Sequence, residues 1–462
     1  MRILLRFLSL TFVSLGLLFL LSASSAHAQA LDMEDLHGME ARSIGPAGMS
    51  GRVTTIDAVE SNPDVIYIGT ASGGLWKSND GGTDWAPIFD DQPATSIGAV
   101  AIDPQNPDVI WVGTGEGNPR NSSNGGTGLY KSLDGGATWT DLGLEDTRSI
   151  HRILVHPTNS EVAYIGVQGE TWGTNEERGV YKTTDGGETF EKVLYVDERT
   201  GVADLVMDRE NPNKLFAAMW EYQRWPWFFE SGGDSSGLYV THDGGETWDN
   251  LSGNGGLPET PYGRIGLAIA PSNPDRVYAL IESENNALYR SDDGGRSWLM
   301  MNDDMDEIGG RPFYYADIYV DPHNENRLYS IHTVVTMSED GGESFDTVVP
   351  YRDIHPDHHA WWIDPNDPST IYEGNDGGMA ISRDRGESWR FVQNLPLAQF
   401  YHINVDNDVP YNIYGGMQDN GSWRGPAYVW RSGGIRNAYW EEVAFGDGFD
   451  VVPDPEDNTQ GY

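Results

Sequence analysis

Histidine and aspartate are concentrated in one short run of the sequence, from Ile354 to Trp361. Imidazole and carboxylate are ligands that transition metals such as zinc accept, so His355, Asp357 and His359 are candidates to hold one metal ion. Consecutive residues of a strand point to opposite faces, however, and a hydrogen-bonded cluster without a metal is the alternative. The run leaves both interpretations open, and no other cofactor is expected.

Acidic residues in several loops form a second set of candidates. Hydrolysis of a glycoside needs two carboxyl groups about 5–9.5 Å apart, one acting as proton donor and the other as base or nucleophile. Carboxylates from distant parts of the chain would have to meet for this chemistry. The catalytic candidates are Glu116, Asp376, Asp419 and Asp447. Whether the protein is an enzyme stays undecided at this stage.

Aromatic residues are crowded in a third segment, where six occur among the ten residues from Trp220 to Phe229. Exposed aromatic platforms suit sugar rings or peptide side chains, whereas a lid packed on its neighbours is the structural alternative. Polar residues of other loops extend the set. The candidate ligand-binding residues are Trp172, Trp220, Tyr222, Arg224, Trp225, Trp227, Arg52, Arg152, Asn375, Asp376, Gln418, Asp419 and Asn420.

A recurring octapeptide indicates which elements position these side chains. Its pattern, Ser/Thr-x-Asp-x-Gly-x-x-Trp/Phe, occurs seven times, with the aspartates 44 to 58 residues apart. A period near 50 residues with strand-like content is typical of propeller blades. The aspartates are expected to accept hydrogen bonds from turn amides, and the aromatic rings to wedge between sheets. These structural aspartates are Asp80, Asp134, Asp185, Asp243, Asp293, Asp340 and Asp384.

Each repeat contains short β-rich runs separated by Asn-Pro and Asp-Gly-Gly turns, which predicts a four-stranded antiparallel sheet. The fold class is therefore all-β, a β-propeller with at least seven full blades over residues 40–398. Residues 399–462 contain two incomplete units, interpreted as the start of a second propeller or the remainder of a larger ring. Because an open ring leaves unpaired sheet edges, we expect the sequence to be truncated at its C-terminus.

The octapeptide is the Asp-box of sialidase-like repeat proteins. The pattern Asn-Pro-Asp-Val-Ile-Tyr-Ile-Gly at 62–69, with Gly-Leu-Trp-Lys-Ser at 74–78, resembles sortilin N-terminal-type and xyloglucanase-type two-propeller proteins. The xyloglucanase resemblance implies hydrolysis by paired acids. Ala71 occupies the position of the expected first-blade acid, whereas Asp447 resembles the acid of the second propeller. This fold hosts hydrolases, receptors and assembly factors alike, so the resemblance does not fix an activity.

Two functional hypotheses follow from these features. The first is a binding or scaffold module for an extracellular polymer, either a polysaccharide or a peptide, and it is favoured by Ala71 and by the variable aromatic loops. The alternative is a glycoside hydrolase of the xyloglucanase-like two-propeller type, which the additional units after residue 398 favour. The first is the main hypothesis.

The N-terminus and the charge balance indicate where the protein acts. Residues 1–28 have a basic start, a short apolar run and small residues at Ala26 and Ala28, as in a secretory signal peptide. No integral membrane segment is expected after its removal. A net charge of −42 argues against nucleic acid as a partner. Export of a chain without cysteine favours a secreted or periplasmic bacterial protein.

Overall fold

Regular structure in the protein is almost entirely β-strand, as the repeat predicts. The computed structural model describes residues 44–46, 50–315 and 317–462, so the predicted signal peptide at 1–28 lies outside the described residues. The strands form eight sheets, each with four consecutive strands of the chain in antiparallel order. One sheet carries an additional short strand.

The first four sheets, blades 1 to 4, follow the chain in order. Blade 1 contains β1 (Val53–Ala58), β2 (Ile66–Thr70), β3 (Leu75–Ser78) and β4 (Ala86–Pro87). Blade 2 contains β5 (Ile97–Ile102), β6 (Ile110–Thr114), β7 (Leu129–Ser132) and β8 (Thr140–Asp141). Blade 3 contains β9 (Ile150–Val155), β10 (Ala163–Val167), β11 (Gly179–Thr183) and β12 (Glu191–Leu194). Blade 4 contains β13 (Thr200–Met207), β14 (Leu215–Trp225), β15 (Phe228–Ser231), β16 (Gly237–Thr241) and β17 (Asp249–Asn250).

Blades 5 to 8 continue in the same way. Blade 5 contains β18 (Ile265–Ile269), β19 (Val277–Ile281), β20 (Ala287–Ser291) and β21 (Leu299–Asn302). Blade 6 contains β22 (Asp317–Asp321), β23 (Asn324–Ile331), β24 (Val335–Ser338) and β25 (Asp346–Val349). Blade 7 contains β26 (His358–Ile363), β27 (Ile371–Asn375), β28 (Gly378–Ser382) and β29 (Arg390–Phe391), and blade 8 contains β30 (Phe400–Val405), β31 (Asn412–Met417), β32 (Ser422–Pro426) and β33 (Glu441–Ala444). The short helix α1 (Met305–Ile308) and two 3₁₀ turns, Glu145–Thr147 and Asn437–Tyr439, lie between strands.

Blades 1 to 7 close into a ring through packing between neighbouring blades. In blades 1, 2, 3 and 7, a glycine of the second strand leaves room for an apolar side chain of the first strand of the next blade, because a Cβ at the glycine would collide with that side chain. A Cβ at Gly69 would lie 2.5 Å from Ile97 of blade 2. A Cβ at Gly374 of blade 7 would lie 2.7 Å from Val53 of blade 1, so the same contact joins the last blade to the first. Blade 8 lies outside this ring.

The Asp-boxes have the hydrogen bonds expected of structural turns. In the second box, Ser132 Oγ donates to Asp134 Oδ1 at 2.8 Å, and the amide of Thr138 donates to the same oxygen at 2.8 Å. The hydroxyl of Thr138 donates to the other oxygen at 2.6 Å. These bonds, led by the Thr138 hydroxyl, lower the pKa of Asp134 to about 2. The ring of Trp139 packs edge-on against Phe89 of the preceding blade, so for this box the aromatic ring lies between neighbouring sheets, as predicted.

Blade 8 is more complete than the sequence indicated. Its predicted three strands are joined by a fourth, β33, which pairs Ala444 with Ser422. This strand reads Glu-Glu-Val-Ala, is exposed along its length and follows no Asp-box, so it has no apolar alternation from which it could be recognised. After it, Pro453 and Gly461 form a single antiparallel bridge.

Candidate functional site

The first strands of the seven ring blades line a central channel, and the loops that lead into them meet at one end of it. Residues from four blades pack together at this mouth. We call them the mouth cluster: Arg52, Glu116, His359, Asp376, Gln418 and Asp419. The cluster therefore depends on closure of the ring and on the position of blade 8.

Arg52, directly before β1, is the centre of the mouth cluster and is fully buried. Its Nε and Nη2 donate to the two oxygens of Asp376 at 2.6 and 3.3 Å. Its Nη1 donates to Glu116 in the long loop of blade 2. Two buried carboxylates from different blades thus share one guanidinium, whose planar fork suits this geometry.

Asp376 is saturated with hydrogen-bond donors. Besides Arg52, His359 Nε2 lies 2.8 Å from Oδ1 and Gln418 Nε2 donates to Oδ2 at 3.2 Å. Burial alone would raise the pKa of Asp376, but the charges of Arg52 and His359 hold it well below its ordinary value. Asp376 is therefore an ionised anchor. Burial raises the pKa of Glu116, although the charge of Arg52 opposes that shift.

Asp419 is the half-buried carboxyl group of the mouth cluster. Gln418 Nε2 donates to Asp419 Oδ2 at 3.1 Å as well as to Asp376. The backbone amide of Asp419 donates to Asp447 Oδ1 at 3.0 Å. Burial and the charges of Asp376 and Asp447 raise the pKa of Asp419 to about 6. Asp447 is exposed. The structure thus brings all four catalytic candidates to one mouth and gives them different environments.

The histidine run does not converge on one point as a metal site requires. His355 Nε2 lies 3.2 Å from the carbonyl oxygen of Asp419, and His359 faces Asp376. Within the described ranges, the acidic or histidine groups close enough to share an ion are Asp357, Asp376 and Asp419, without either histidine. Four donors already occupy the oxygens of Asp376, so ligation would have to break its bonds to Arg52. The hydrogen bonds of this region fit the clustered alternative, and the metal site at His355, Asp357 and His359 stays a prediction.

Asn375 lies away from the mouth cluster. Its amide donates to Glu373 Oε2 at 2.9 Å, and its oxygen accepts from the amide of Gly377 at 2.8 Å. Glu373 also bonds to His358, the neighbour of His359 that points to the opposite face. All of these side chains are buried, and the ligand contact expected of Asn375 stays a prediction. Asn420 is likewise buried and donates to the carbonyl of Asp376 at 2.9 Å.

The aromatic segment divides into a buried base and an exposed tip. Trp220 and Tyr222 are fully buried, and their ring centroids stack 4.4 Å apart. Contrary to the expectation from the sequence, they are therefore not available to stack on a ligand. The reason is that β14 extends to Trp225 and turns alternate side chains into the core. Trp227 at the hairpin tip is 82% exposed, and Trp225 is half-buried beside Phe228.

The hairpin of β14 and β15 is anchored to the mouth by the long loop of blade 2. Arg224 Nη1 donates to the carbonyl of Pro119 at 2.6 Å, and Nη2 bonds to Asn121. Further along this loop, Ser122 Oγ lies 3.5 Å from Gln418 Oε1. The loop therefore connects the aromatic hairpin to the mouth cluster. On the neighbouring loop of blade 3, Trp172 is 38% exposed.

Sequence analysis missed the tyrosines of the mouth. Tyr314 and Tyr315 precede β22, and their rings lie 5.1 and 5.6 Å from the ring of His359. Tyr401 at the start of blade 8 donates to Gln418 at 3.0 Å. No repeat marks them, but each stands in or beside a loop leading into a first strand, and that position was a usable signal.

Arg152 lies inside the channel rather than at the mouth. Its guanidinium binds Asp204 at 2.8 Å and Asp317 at 3.1 Å. Nη1 also donates to the ring of His151 at 3.0 Å. Burial and the charges of Arg152 and Arg264 lower the pKa of His151 well below its ordinary value, so the ring is a neutral acceptor. A ligand could therefore contact Arg152, as the sequence predicts, only by entering the channel.

The fold and the mouth cluster define an Asp-box β-propeller with an acidic channel mouth. Residues 127–257 match the family Sortilin-Vps10, described as sortilin, neurotensin receptor 3. The oligoxyloglucan-reducing end-specific xyloglucanase of Emericella nidulans is 24% identical over 186 residues, which cover 36% of this chain and 22% of that protein. Xyloglucanase Xgh74A of Acetivibrio thermocellus is 28% identical over 191 residues, covering 36% and 22%.

A solved structure shows the same architecture. The GH74 enzyme of Niastella koreensis matches with a TM-score of 0.61 and 17% identity, covering 90% of this chain and 70% of that one. The protein is thus an Asp-box β-propeller similar to sortilin-type and xyloglucanase-type proteins, as the sequence predicted. The chain spans about a fifth of the length of the first curated relatives it matches. No helix in the described ranges is long and apolar enough to cross a membrane.

Proposed function

We propose that the mouth cluster belongs to a glycoside hydrolase site for an extracellular polysaccharide, with Asp419 as proton donor and Asp447 as base. The observation that carries the proposal is the position of Asp419. Asp419 is half-buried, and its carboxyl group accepts from the same Gln418 side-chain amide as the ionised Asp376. Its backbone amide donates to the carboxylate of Asp447. The carboxyl group of Asp419 is thereby favoured in its protonated form, beside the carboxyl group of Asp447, which stays open to solvent.

These environments suit the two halves of the reaction. As the glycosidic C–O bond breaks, the leaving oxygen takes the proton of Asp419. Asp447 removes a proton from the water molecule whose oxygen forms the new bond to carbon. Arg52 and Asp376 do not react but keep Gln418 in place. The similarity to xyloglucanases supports the reaction class, and the substrate is proposed to be a neutral glycan because the protein is strongly acidic.

Ala71 marks where this site departs from the resemblance that supports it. The residue is buried, and its amide donates to the carbonyl of Arg52 at 3.1 Å, so it lies at the same mouth. The missing first-blade acid is thus replaced by carboxylates from other blades within the same region. Asp419 is the replacement that combines a raised pKa with access to solvent.

A binding module without hydrolysis is the second candidate function. It is favoured by the exposed Trp227 and the half-buried Trp225, which stand on a hairpin whose base is rigidly packed. Flat rings held in place stack on sugars with little loss of conformational freedom. The two functions predict the same ligand class and differ only in turnover.

Release of reducing ends from neutral plant and bacterial polysaccharides, including xyloglucan, tests the proposal. We expect release by the wild type, its loss in Asp419→Asn and Asp447→Asn, and its retention in Asp91→Asn, a matched change at an exposed aspartate of blade 1. Binding of a glycan with no release by any variant would favour the binding module. If release persists in both site variants, the assignment of Asp419 and Asp447 is wrong.

A further inference from the structure

Arg120 lies in the long loop of blade 2, between the aromatic hairpin and the mouth cluster. The carbonyl of Pro119, directly before it, accepts from Arg224 of the hairpin at 2.6 Å. Two residues after it, Ser122 Oγ lies 3.5 Å from Gln418 Oε1 of the mouth cluster. A polymer that extends from the hairpin rings to the proposed catalytic carboxyl groups therefore passes Arg120.

The guanidinium group of Arg120 is free to bind a ligand. Its side chain forms no ion pair or hydrogen bond with any residue that the structure describes. Arg120 is partly exposed, and none of its unpaired nitrogen atoms is buried, so its N–H groups reach solvent. Arg52 differs, because it is fully buried and donates to Asp376 and Glu116. Of these two arginines of the mouth, Arg120 is the one whose donors can turn to a ligand.

The surroundings hold this free group in place. Arg120 lies over the ring of the buried Tyr314, with its Cζ 4.6 Å from the ring centroid. The amide of Arg120 donates to Ser123 Oγ and to the carbonyl of Asn118, each at 2.8 Å. Attraction to a ring face uses none of the guanidinium N–H donors. The group is thus positioned before a ligand arrives, which lowers the entropy cost of binding.

Arg120 also lies close to the proposed catalytic carboxyl groups. Tyr401, at the start of blade 8, is near enough to respond to all of them. Burial raises the pKa of Tyr401, the charge of Arg120 opposes that shift, and the charges of Asp447 and Asp419 add to it. A sugar unit held by Arg120 would therefore be a neighbour of the linkage that is cleaved.

The chemistry of the mouth favours an uncharged acceptor for these donors. Four carboxyl residues lie there, so an anionic group drawn to Arg120 would also meet their repulsion. They are Glu116, Asp376, Asp419 and Asp447. A hydroxyl oxygen accepts a hydrogen bond without carrying a charge. The planar fork of a guanidinium suits two neighbouring oxygen acceptors, and adjacent hydroxyl groups of a sugar ring are such a pair.

We propose that Arg120 is a sugar-binding residue, which donates its N–H groups to two adjacent hydroxyl oxygens of the sugar unit between the aromatic hairpin and the cleaved linkage. The inference rests on the proposed function for its ligand class, a neutral glycan, and adds a residue that recognises the hydroxyl groups. Because the contact is away from the reacting atoms, it stabilises the bound substrate and the transition state alike.

Affinity electrophoresis in gels containing xyloglucan measures this contact without requiring turnover. We expect Arg120→Met to bind about tenfold more weakly than the wild type, as for the loss of a hydrogen bond to a charged group. Arg120→Lys keeps the charge but not the fork, and it should also bind more weakly. Arg296→Met, a matched change at an exposed arginine of the fifth Asp-box, should bind as the wild type does.

Three results of the binding measurement would overturn the proposal. One is wild-type affinity in Arg120→Met or in Arg120→Lys, and another is an equal loss in Arg296→Met, which would make overall charge the cause. The third is a wild type that does not bind xyloglucan. Thermal melting identifies a variant that has lost its fold. If Arg120→Met melts early, Arg120→Lys decides, because its ammonium group can still lie over the ring of Tyr314.

Kinetics separate this inference from the proposed reaction. In the reducing-end assay, Arg120→Met should raise KM about tenfold and change kcat by less than about twofold, whereas Asp419→Asn should lose turnover and still bind xyloglucan. A wild type that binds without releasing reducing ends refutes the hydrolase and leaves the comparison of binding valid. Unchanged KM in Arg120→Met refutes the role of Arg120 and leaves the hydrolase standing.

Discussion

Replacing Arg52 with methionine removes the guanidinium from the mouth cluster while keeping a long side chain. Two buried carboxylates, Asp376 and Glu116, then lose their shared partner. Removing one member of a buried ion pair costs about 3–5 kcal/mol of unfolding free energy, since a charge is left buried without compensation. We expect Arg52→Met to lose an amount in this range at pH 7.5, measured by urea unfolding.

The pH dependence of this loss follows from the signs of the pKa shifts. In the wild type the pKa of Asp376 lies well below its ordinary value, so its contribution to stability is present above about pH 4 and is lost as the pH falls. Without Arg52, burial leaves the pKa of Asp376 raised, so the protonated form dominates at low pH and relieves the penalty. The loss should therefore be smaller at pH 4.5 than at pH 7.5.

Arg209→Met is the matched control. Arg209 pairs with Glu60 at 2.7 Å, but both side chains are substantially exposed, and exposed pairs contribute about 0–1 kcal/mol. A similar loss for both variants, or a loss for Arg52→Met that does not change between the two pH values, would refute the description of Arg52 as the buried centre of the cluster.

Three further predictions concern the boxes, the hairpin and the mouth. Trp298→Ala should lower the unfolding free energy by about 3–5 kcal/mol, because the ring of this Asp-box tryptophan is fully buried. Trp139→Ala should lower it by less, because the ring of Trp139 is half-buried, and chemical denaturation of both variants measures the difference. Trp227→Ala should leave the melting temperature nearly unchanged and weaken glycan binding, whereas Trp220→Ala should destabilise the protein by about 3–5 kcal/mol, as calorimetry and affinity electrophoresis can show. Hydrolysis should decline as the pH rises through about 6, because Asp419 must hold its proton to give it to the leaving oxygen; a rate constant that rises over this range contradicts its role.

The repeat made the blades predictable because each box contains its own turn chemistry. Ser132, Asp134 and Thr138 are within six residues of one another, and their hydrogen bonds depend on nothing distant. The faces of the propeller were predictable for the same reason, so Glu116, Asp376 and Asp419 could be expected near one another. Local chemistry therefore gave the fold and the region of the site.

The pairing within the site was not predictable from local chemistry. Arg52 and Asp376 are 324 positions apart and meet only because the ring closes after seven blades, a number that the repeat did not settle. The burial of Trp220 was missed because the length of β14 was unknown, and alternation along that strand decides which rings are exposed. The raised pKa of Asp419 depends on blade 8 lying against the mouth, which no sequence pattern indicated.

The contact between Gly374 and Val53 has a mechanical consequence. Every sheet consists of consecutive strands, so no strand of blade 1 is hydrogen-bonded into the sheet of blade 7. This seam is fastened by side-chain packing, by backbone hydrogen bonds such as that from the Ser50 amide to the Gly377 carbonyl at 2.9 Å, and by ion pairs such as that of Arg52 with Asp376. A force that pulls residues 50 and 398 apart would open the ring there first, with all of its sheets intact, and would separate Arg52 from Asp376 before any blade unravels.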